Sequence, residues 1–325
     1  MNNSKLTIWC NNDFGPNDEH DVARLSEGVG EHPLVMFGAY DGTDTAIKAL
    51  SNAQIAFGYP EPEWSLKSEK LRWIQLNSAG YTSYDHDDIK QQLVDRGIVL
   101  TNSSFVFDEP CAQHVLAMIT ALARQLPAAL DAQRGDREWK MDSLRPASRL
   151  LNGQTVLILG FGAIARRLAE LLTPLHLNLI AFRRKVIGSE PIDVREISKL
   201  DEMLPHADHV VNILPANEET RLFLNASRLA NLKPGAIVYN IGRGTTVDQD
   251  ALVKELKDGR IAAAYLDVTD PEPLPLDHPL WTTPNCFITP HSGGGHSDEK
   301  ERQVNHFINN LRRFERGEEL INRVV

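Results

Sequence analysis

No run of apolar residues in this 325-residue chain approaches the roughly 20 that a helix needs to cross a bilayer, so the sequence offers no membrane span. Cysteine is scarce as well. Cys10, Cys111 and Cys286 stand far apart, an odd number with no metal-type pair and no disulfide framework. That usage suits a reducing compartment, and a cytoplasmic location without a bound metal is expected. Basic charge is short too: 34 Lys and Arg face 44 Asp and Glu, for a net charge of −10. This argues against a nucleic-acid or acidic-membrane partner. Residues 1–5 are polar and precede one short apolar run, so no signal peptide is expected. Low-complexity tracts and short repeats are absent. What remains is a globular composition, 42% apolar and 24% charged, long enough for two domains with proper cores.

Short apolar runs at 6–10, 34–37, 55–58, 71–76 and 98–100 read as strands. Helices are predicted between them at 17–27, 43–50 and 87–96, the second capped by Asp41 or Thr43 and the third closed by Gly97. Strand alternating with helix over 1–101 means a parallel α/β sheet of flavodoxin-like size. A long apolar helix is predicted over 108–126, with Asp108 and Pro110 at its start, as a connection between two bodies. Residues 131–148 are polar and Arg-rich around Trp139, and read equally as a solvated loop or an oligomer arm. From 155 the alternation returns, with strands at 155–159, 177–182, 209–214, 236–240, 262–266 and 286–289. Helices are predicted at 163–172, 226–231, 248–258 and 297–316.

The stretch 156–165 organises the second half. A buried strand turns at Gly160 into a helix that opens with Ala163 and Ile164. Gly160 permits the tight turn, and Gly162 lets backbone approach a pyrophosphate. Ala165, in the third position of the fingerprint, still packs helix against strand. The helix N-terminus then points its N–H groups at the phosphates. An acid that would bind a ribose 2′-hydroxyl is missing at the end of the next strand. Arg183, Arg184 and Lys185 stand there instead. Two guanidiniums and an ammonium suit a 2′-phosphate, so NADP(H) is expected to be preferred, with NAD(H) possible. The alternative for these three is a surface basic cluster.

Polar residues recur just past strand ends: Arg183, Pro215, Arg243, Asp267 and His291. That edge is where open α/β sheets bind ligands. Arg243 lies between Gly242 and Gly244, with room for a ligand to reach its fork, and can hold a carboxylate bidentately. His291 is the residue type suited to move a proton near neutral pH, and Glu272 is its candidate partner.

Taken together, Gly160-Phe161-Gly162-Ala163-Ile164, Leu214-Pro215 with Thr220, Leu232-Lys233-Pro234-Gly235, Asn240-Ile241-Gly242-Arg243-Gly244, Leu266-Asp267-Val268 with Glu272-Pro273-Leu274-Pro275, and Thr289-Pro290-His291 resemble the D-isomer-specific 2-hydroxyacid dehydrogenases. The resemblance covers nearly the whole chain and is tightest over 101–295. It implies a two-domain α/β fold: a Rossmann dinucleotide-binding domain at 102–295 and a discontinuous, flavodoxin-like substrate domain at 1–101 and 296–325, with a cleft that closes by a hinge near Asn102 and Gly295. By the same resemblance Arg243, Glu272 and His291 are catalytic. Ser78, Ala79 and Gly80 bind the substrate carboxylate, and Asp267 holds the nicotinamide amide. Leu214, Pro215, Thr220, Ile241, Gly242 and Gly293 contribute to the cofactor site. The implied activity is NADPH-preferring reduction of small 2-oxo acids to D-2-hydroxy acids, of the glyoxylate and hydroxypyruvate type, by a homodimer that pairs around Trp139. Substrate size is expected to depend on the loops at 59–64 and 81–84. Glu272 stands where formate dehydrogenases of the superfamily carry Gln. Gln113 stands where the family commonly has Glu, and a regulatory C-terminal extension is not expected. The alternative is a non-catalytic, dinucleotide-sensing corepressor on the same fold.

Overall fold

The computed structural model describes residues 5–39 and 41–325. Most of the polar lead-in at 1–5 lies outside the described residues. The chain divides into two compact units, Met1–Phe107 with Gly295–Val325, and Asp108–Gly294.

The first unit holds β1 (Ile8–Cys10), β2 (Leu34–Met36), β3 (Ile55–Gly58), β4 (Trp73–Leu76) and β5 (Val99–Thr101). All pair in parallel, in the order β2-β1-β3-β4-β5, which is the flavodoxin-like arrangement. β1, β3 and β4 are buried along their whole length, as strands covered on both faces must be. The helix Asp44–Asn52 uses both candidate caps. Thr43 Oγ1 accepts from Ala46 N–H at 3.3 Å, and Asp41 Oδ1 accepts from Thr43 N–H at 2.9 Å. The terminal helix Glu299–Arg316 covers this sheet, with Phe307 stacked on Phe57 at 4.4 Å and on Trp73 at 5.3 Å.

The second unit holds β6 (Thr155–Leu159), β7 (Asn178–Arg183), β8 (Asp193–Glu196), β9 (His209–Asn212), β10 (Ala236–Asn240), β11 (Ile261–Leu266) and β12 (Cys286–Ile288). Their order is β12-β11-β10-β9-β6-β7-β8, all parallel. The chain reverses direction across the sheet between β6 and β9, and in open α/β sheets such a switch point is where ligands bind, at the carboxyl ends of the strands.

Several local readings are corrected. The long helix runs Ser104–Ala123, so Asp108 and Pro110 lie inside it rather than at its start. Asn102 Oδ1 accepts from Ser104 N–H at 3.2 Å and starts the helix early, while Pro110 removes only one ladder bond. The polar stretch at 131–148 is not a plain solvated loop: it takes in the end of a helix, Leu126–Arg134, and a second one, Met141–Ala147, with a short connection between them. The stretch read as a loop at 59–64 enters a short helix, Pro62–Lys67, and β8 has no counterpart among the predicted strands. β8 is polar, half-exposed and at the sheet edge, so it carries no apolar signal. No single described helix is long and apolar enough to cross a membrane.

One buried group gives the fold a pH signature. His209, at the start of β9, is 2% exposed. Its Nδ1 bonds Tyr239 Oη at 3.0 Å and its Nε2 bonds Gln154 Oε1 at 2.6 Å. Burial pulls its pKa from 6.5 down to about 4. Between those values the unfolded chain binds a proton that the folded chain does not, so stability is lost as pH falls through that window. The expected loss from this group is about 3 kcal/mol between pH 7 and pH 4. Denaturation midpoints of wild type and His209→Gln across that range check it: the variant's profile should be flatter by that amount, and parallel profiles would contradict it.

Candidate active site

The glycine turn after β6 leads into an open helix N-terminus. Gly160 adopts φ +92°, a left-handed conformation that side chains rarely take. Gly162 is the N-cap of the helix Ala163–Leu172, and no side chain caps that first turn. A Cβ added to Gly162 would meet nothing within 4 Å. Open space over an uncapped helix N-terminus, at the sheet's switch point, fits a dinucleotide pyrophosphate beside Ala163 and Ile164.

The loops after β9 and β10 are fixed to each other. Asn212 Nδ2 donates to Asn240 Oδ1 at 3.0 Å and to Thr246 Oγ1 at 2.6 Å. Gly242 N–H donates to Asn240 Oδ1 at 3.1 Å, and a Cβ on Gly242 would lie 2.6 Å from Leu214 O. Ile241 N–H donates to Asn212 O at 3.1 Å. Thr220 Oγ1 closes the neighbouring turn on Pro215 O at 2.6 Å. The carbonyl of Arg243 is anchored by Asn240 Nδ2 at 3.1 Å and Thr246 Oγ1 at 2.6 Å. Its guanidinium Nη1 donates to Gly242 O at 2.6 Å. Any Cβ at Gly244 would collide with the carbonyl of Thr269, so this close approach requires glycine.

Past β11, Asp267 is 5% exposed and gathers donors from the loop after β12. Thr289 Oγ1 reaches its Oδ1 at 2.6 Å, Ser292 N–H at 2.9 Å and Gly293 N–H at 3.0 Å. Thr289 in turn bonds Tyr265 Oη at 2.6 Å, and Tyr265 Oη also bonds His114 Nε2. Burial pushes the Tyr265 phenol well above its ordinary pKa. No sequence pattern assigns a role to His114, Tyr265 or Thr289. Thr289 lies in a motif that was singled out, but nothing in the spacing marks the other two.

The candidate proton donor is assembled. His291 Nδ1 sits 2.9 Å from Glu272 Oε2, and Glu272 Oε1 accepts from Thr269 N–H at 3.0 Å. His291 has φ +51°, uncommon for a side-chain-bearing residue, and its N–H is held by Asp267 O at 2.8 Å. The ring is 52% exposed, so its far edge is open to a reactant.

At the end of β7, Arg183 is the last strand residue rather than the first beyond it. Its Nη1 is 3.6 Å from Glu190 Oε1. Arg184 Nη1 is 3.1 Å from Glu219 Oε2, with both side chains exposed. In the first unit, Ser78 Oγ donates to Gly80 O at 2.6 Å, and Asn102 Nδ2 donates to Ala79 O at 2.8 Å. Gln113 donates to Glu109 Oε1 at 2.5 Å, and Glu109 also pairs with Arg167. An amide there supports that pair, where a carboxylate would repel Glu109. Among the described residues, no group of His, Cys, Asp or Glu is placed to hold a metal ion.

Known proteins resemble this chain in sequence and in fold. The family model for the D-isomer specific 2-hydroxyacid dehydrogenase, NAD binding domain, matches residues 116–293. A glyoxylate reductase of Pyrococcus furiosus is 32% identical over 77% of this chain and 74% of its own length. A glyoxylate/hydroxypyruvate reductase B of Pectobacterium atrosepticum is 31% identical over 89% of each. A D-isomer specific 2-hydroxyacid dehydrogenase of Xanthobacter autotrophicus, solved with NADPH and MES, superposes with a TM-score of 0.81 at 26% identity, over 99% of this chain and 98% of its own.

Proposed function

Because this chain belongs to the D-isomer specific 2-hydroxyacid dehydrogenases, and is therefore an NAD(P)-dependent oxidoreductase, we propose that it reduces small 2-oxo acids of the glyoxylate and hydroxypyruvate type to D-2-hydroxy acids, with NADPH as the preferred donor. The observation that carries this reading is the 2.9 Å contact of His291 Nδ1 with Glu272, on the same sheet edge as Arg243 and the glycine turn. When bound, the nicotinamide supplies a hydride for the carbonyl carbon. Gly160, Gly162, Ala163 and Ile164 seat the pyrophosphate. Arg183 and Arg184 take the 2′-phosphate, and Leu214, Pro215, Thr220, Ile241, Gly242 and Gly293 frame the rest. Asp267, a buried carboxylate, accepts from the nicotinamide amide.

Arg243 holds the substrate carboxylate and polarises the neighbouring carbonyl. Ser78, Ala79 and Gly80 are assigned to substrate binding on the family likeness. Glu272 occupies Nδ1 of His291, which leaves Nε2 to deliver a proton to the oxygen that becomes the hydroxyl. Pairing of two copies is assigned to the helices Leu126–Arg134 and Met141–Ala147 and the connection between them, where Trp139 is 89% exposed and Leu126, Leu130 and Met141 are also exposed.

Two outcomes test this reading. His291→Asn should lower kcat by about 10²–10⁴-fold while leaving NADPH affinity nearly intact, since proton donors contribute on that scale. Near wild-type turnover would remove His291 from the mechanism. For the cofactor, kcat/KM should favour NADPH over NADH by at least about tenfold, the effect of one charge-assisted contact. Arg183→Asp should reverse that preference, because a carboxylate accepts the ribose hydroxyl and repels the phosphate. An unchanged ratio in the variant would demote the basic cluster to surface charge.

A further inference from the structure

The sequence places three cations at the end of β7, and the fold sets an acid against two of them, Arg183 and Arg184. Glu190 returns to the strand end through the turn that follows Arg183. Its carboxylate accepts from Ile187 N–H at 2.8 Å and from Gly188 N–H at 2.7 Å, and its side chain is only 4% exposed. Arg183 Nη1 lies 3.6 Å away, too far for a hydrogen bond but within ion-pair range. That same Nη1 is buried and has no hydrogen-bond partner among the described residues. Two backbone N–H groups and a guanidinium thus surround one carboxylate, and this is the donor set that would also suit a phosphate. Glu219 stands against Arg184 in the same way, although in solvent, where such a pair contributes little.

We propose that Glu190 is a specificity-determining residue: its carboxylate competes with the 2′-phosphate of NADPH for Arg183, and so limits how strongly the protein prefers NADPH over NADH. The inference rests on the reading of the β7 end as the 2′-phosphate site. It follows from charge and geometry. A buried donor without a partner gains most from an incoming acceptor. An anion already fixed beside it repels a second anion and shares its cation. The phosphate therefore has to displace the carboxylate or tolerate it. NADH carries no 2′-phosphate and meets neither cost. The preference then depends on a residue seven positions beyond the strand end, outside the place where the motif directs attention.

The test is direct binding of NADPH and of NADH to the full chain, by calorimetry or by quenching of tryptophan fluorescence, without substrate. Glu190→Gln keeps an acceptor for the two backbone N–H groups and removes the charge. It should tighten NADPH binding by about tenfold and change NADH binding by less than about twofold. Glu190→Ala removes both charge and anchor, and should move NADPH in the same direction, which keeps the test open if one variant folds poorly. Arg183→Ala reports on the underlying reading and should weaken NADPH selectively. If Arg183→Ala weakens NADPH but neither Glu190 variant tightens it, competition is wrong and the site assignment stands. Equal changes in both cofactors would make Glu190 a loop anchor only and overturn the proposal. If Arg183→Ala leaves NADPH binding untouched, the site assignment fails and the proposal fails with it.

Discussion

A single buried carboxylate, Asp267, ties the loop that carries His291 to the strand that ends beside it. Its own N–H bonds Asn240 O, its carbonyl accepts from His291 N–H, and its Oδ1 collects Thr289, Ser292 and Gly293. A buried charge is costly unless it is well bonded, and these donors satisfy it. The result is that three consecutive strand ends, those of β10, β11 and β12, are locked in one relation. His291 can then hold its left-handed backbone, because the surrounding bonds over-determine it. The Tyr265–His114 contact extends the same network to the long helix.

The rest of the edge follows similar logic. Parallel strands place every carboxyl end on one side, so each loop can contribute one group to a shared site. The order β9-β6-β7 puts the glycine turn beside the loops of its two neighbours. Close approach is bought with glycine at two points: Gly242 against Leu214, and Gly244 against Thr269. These contacts keep Arg243 on a fixed backbone, while its guanidinium stays on a long, adjustable stem. His291 is held differently, through the carboxylate of Glu272 on a second loop.

Much of this was legible from residue order alone. Buried parallel strands are continuous apolar runs, so β3, β6 and β10 announce themselves, and Gly160 marks the turn at the end of β6. The motifs around Arg243, Glu272 and His291 named the side chains that the fold does bring to one edge. What escaped had no periodic signal. β8 is polar and at the edge. The start of the long helix was hidden because Asn102 begins it from outside the apolar run. Residues 131–148 are too charged to show the helices that a short amphipathic stripe supports there. Glu190 and Tyr265 are contacts made across turns or between elements, and only the fold puts them beside Arg183 and Thr289.

The proposed activity is reduction of 2-oxo acids with defined handedness at this strand edge. The direct measurement is NADPH consumption on glyoxylate, hydroxypyruvate, pyruvate, phenylpyruvate and branched 2-oxo acids, with chiral analysis of each product that has a stereocentre. Turnover is expected on the small acids, glyoxylate and hydroxypyruvate foremost, with the D-hydroxy acid wherever the product has a stereocentre. Tight NADPH binding with no turnover on any of them, or an L-product, would contradict it.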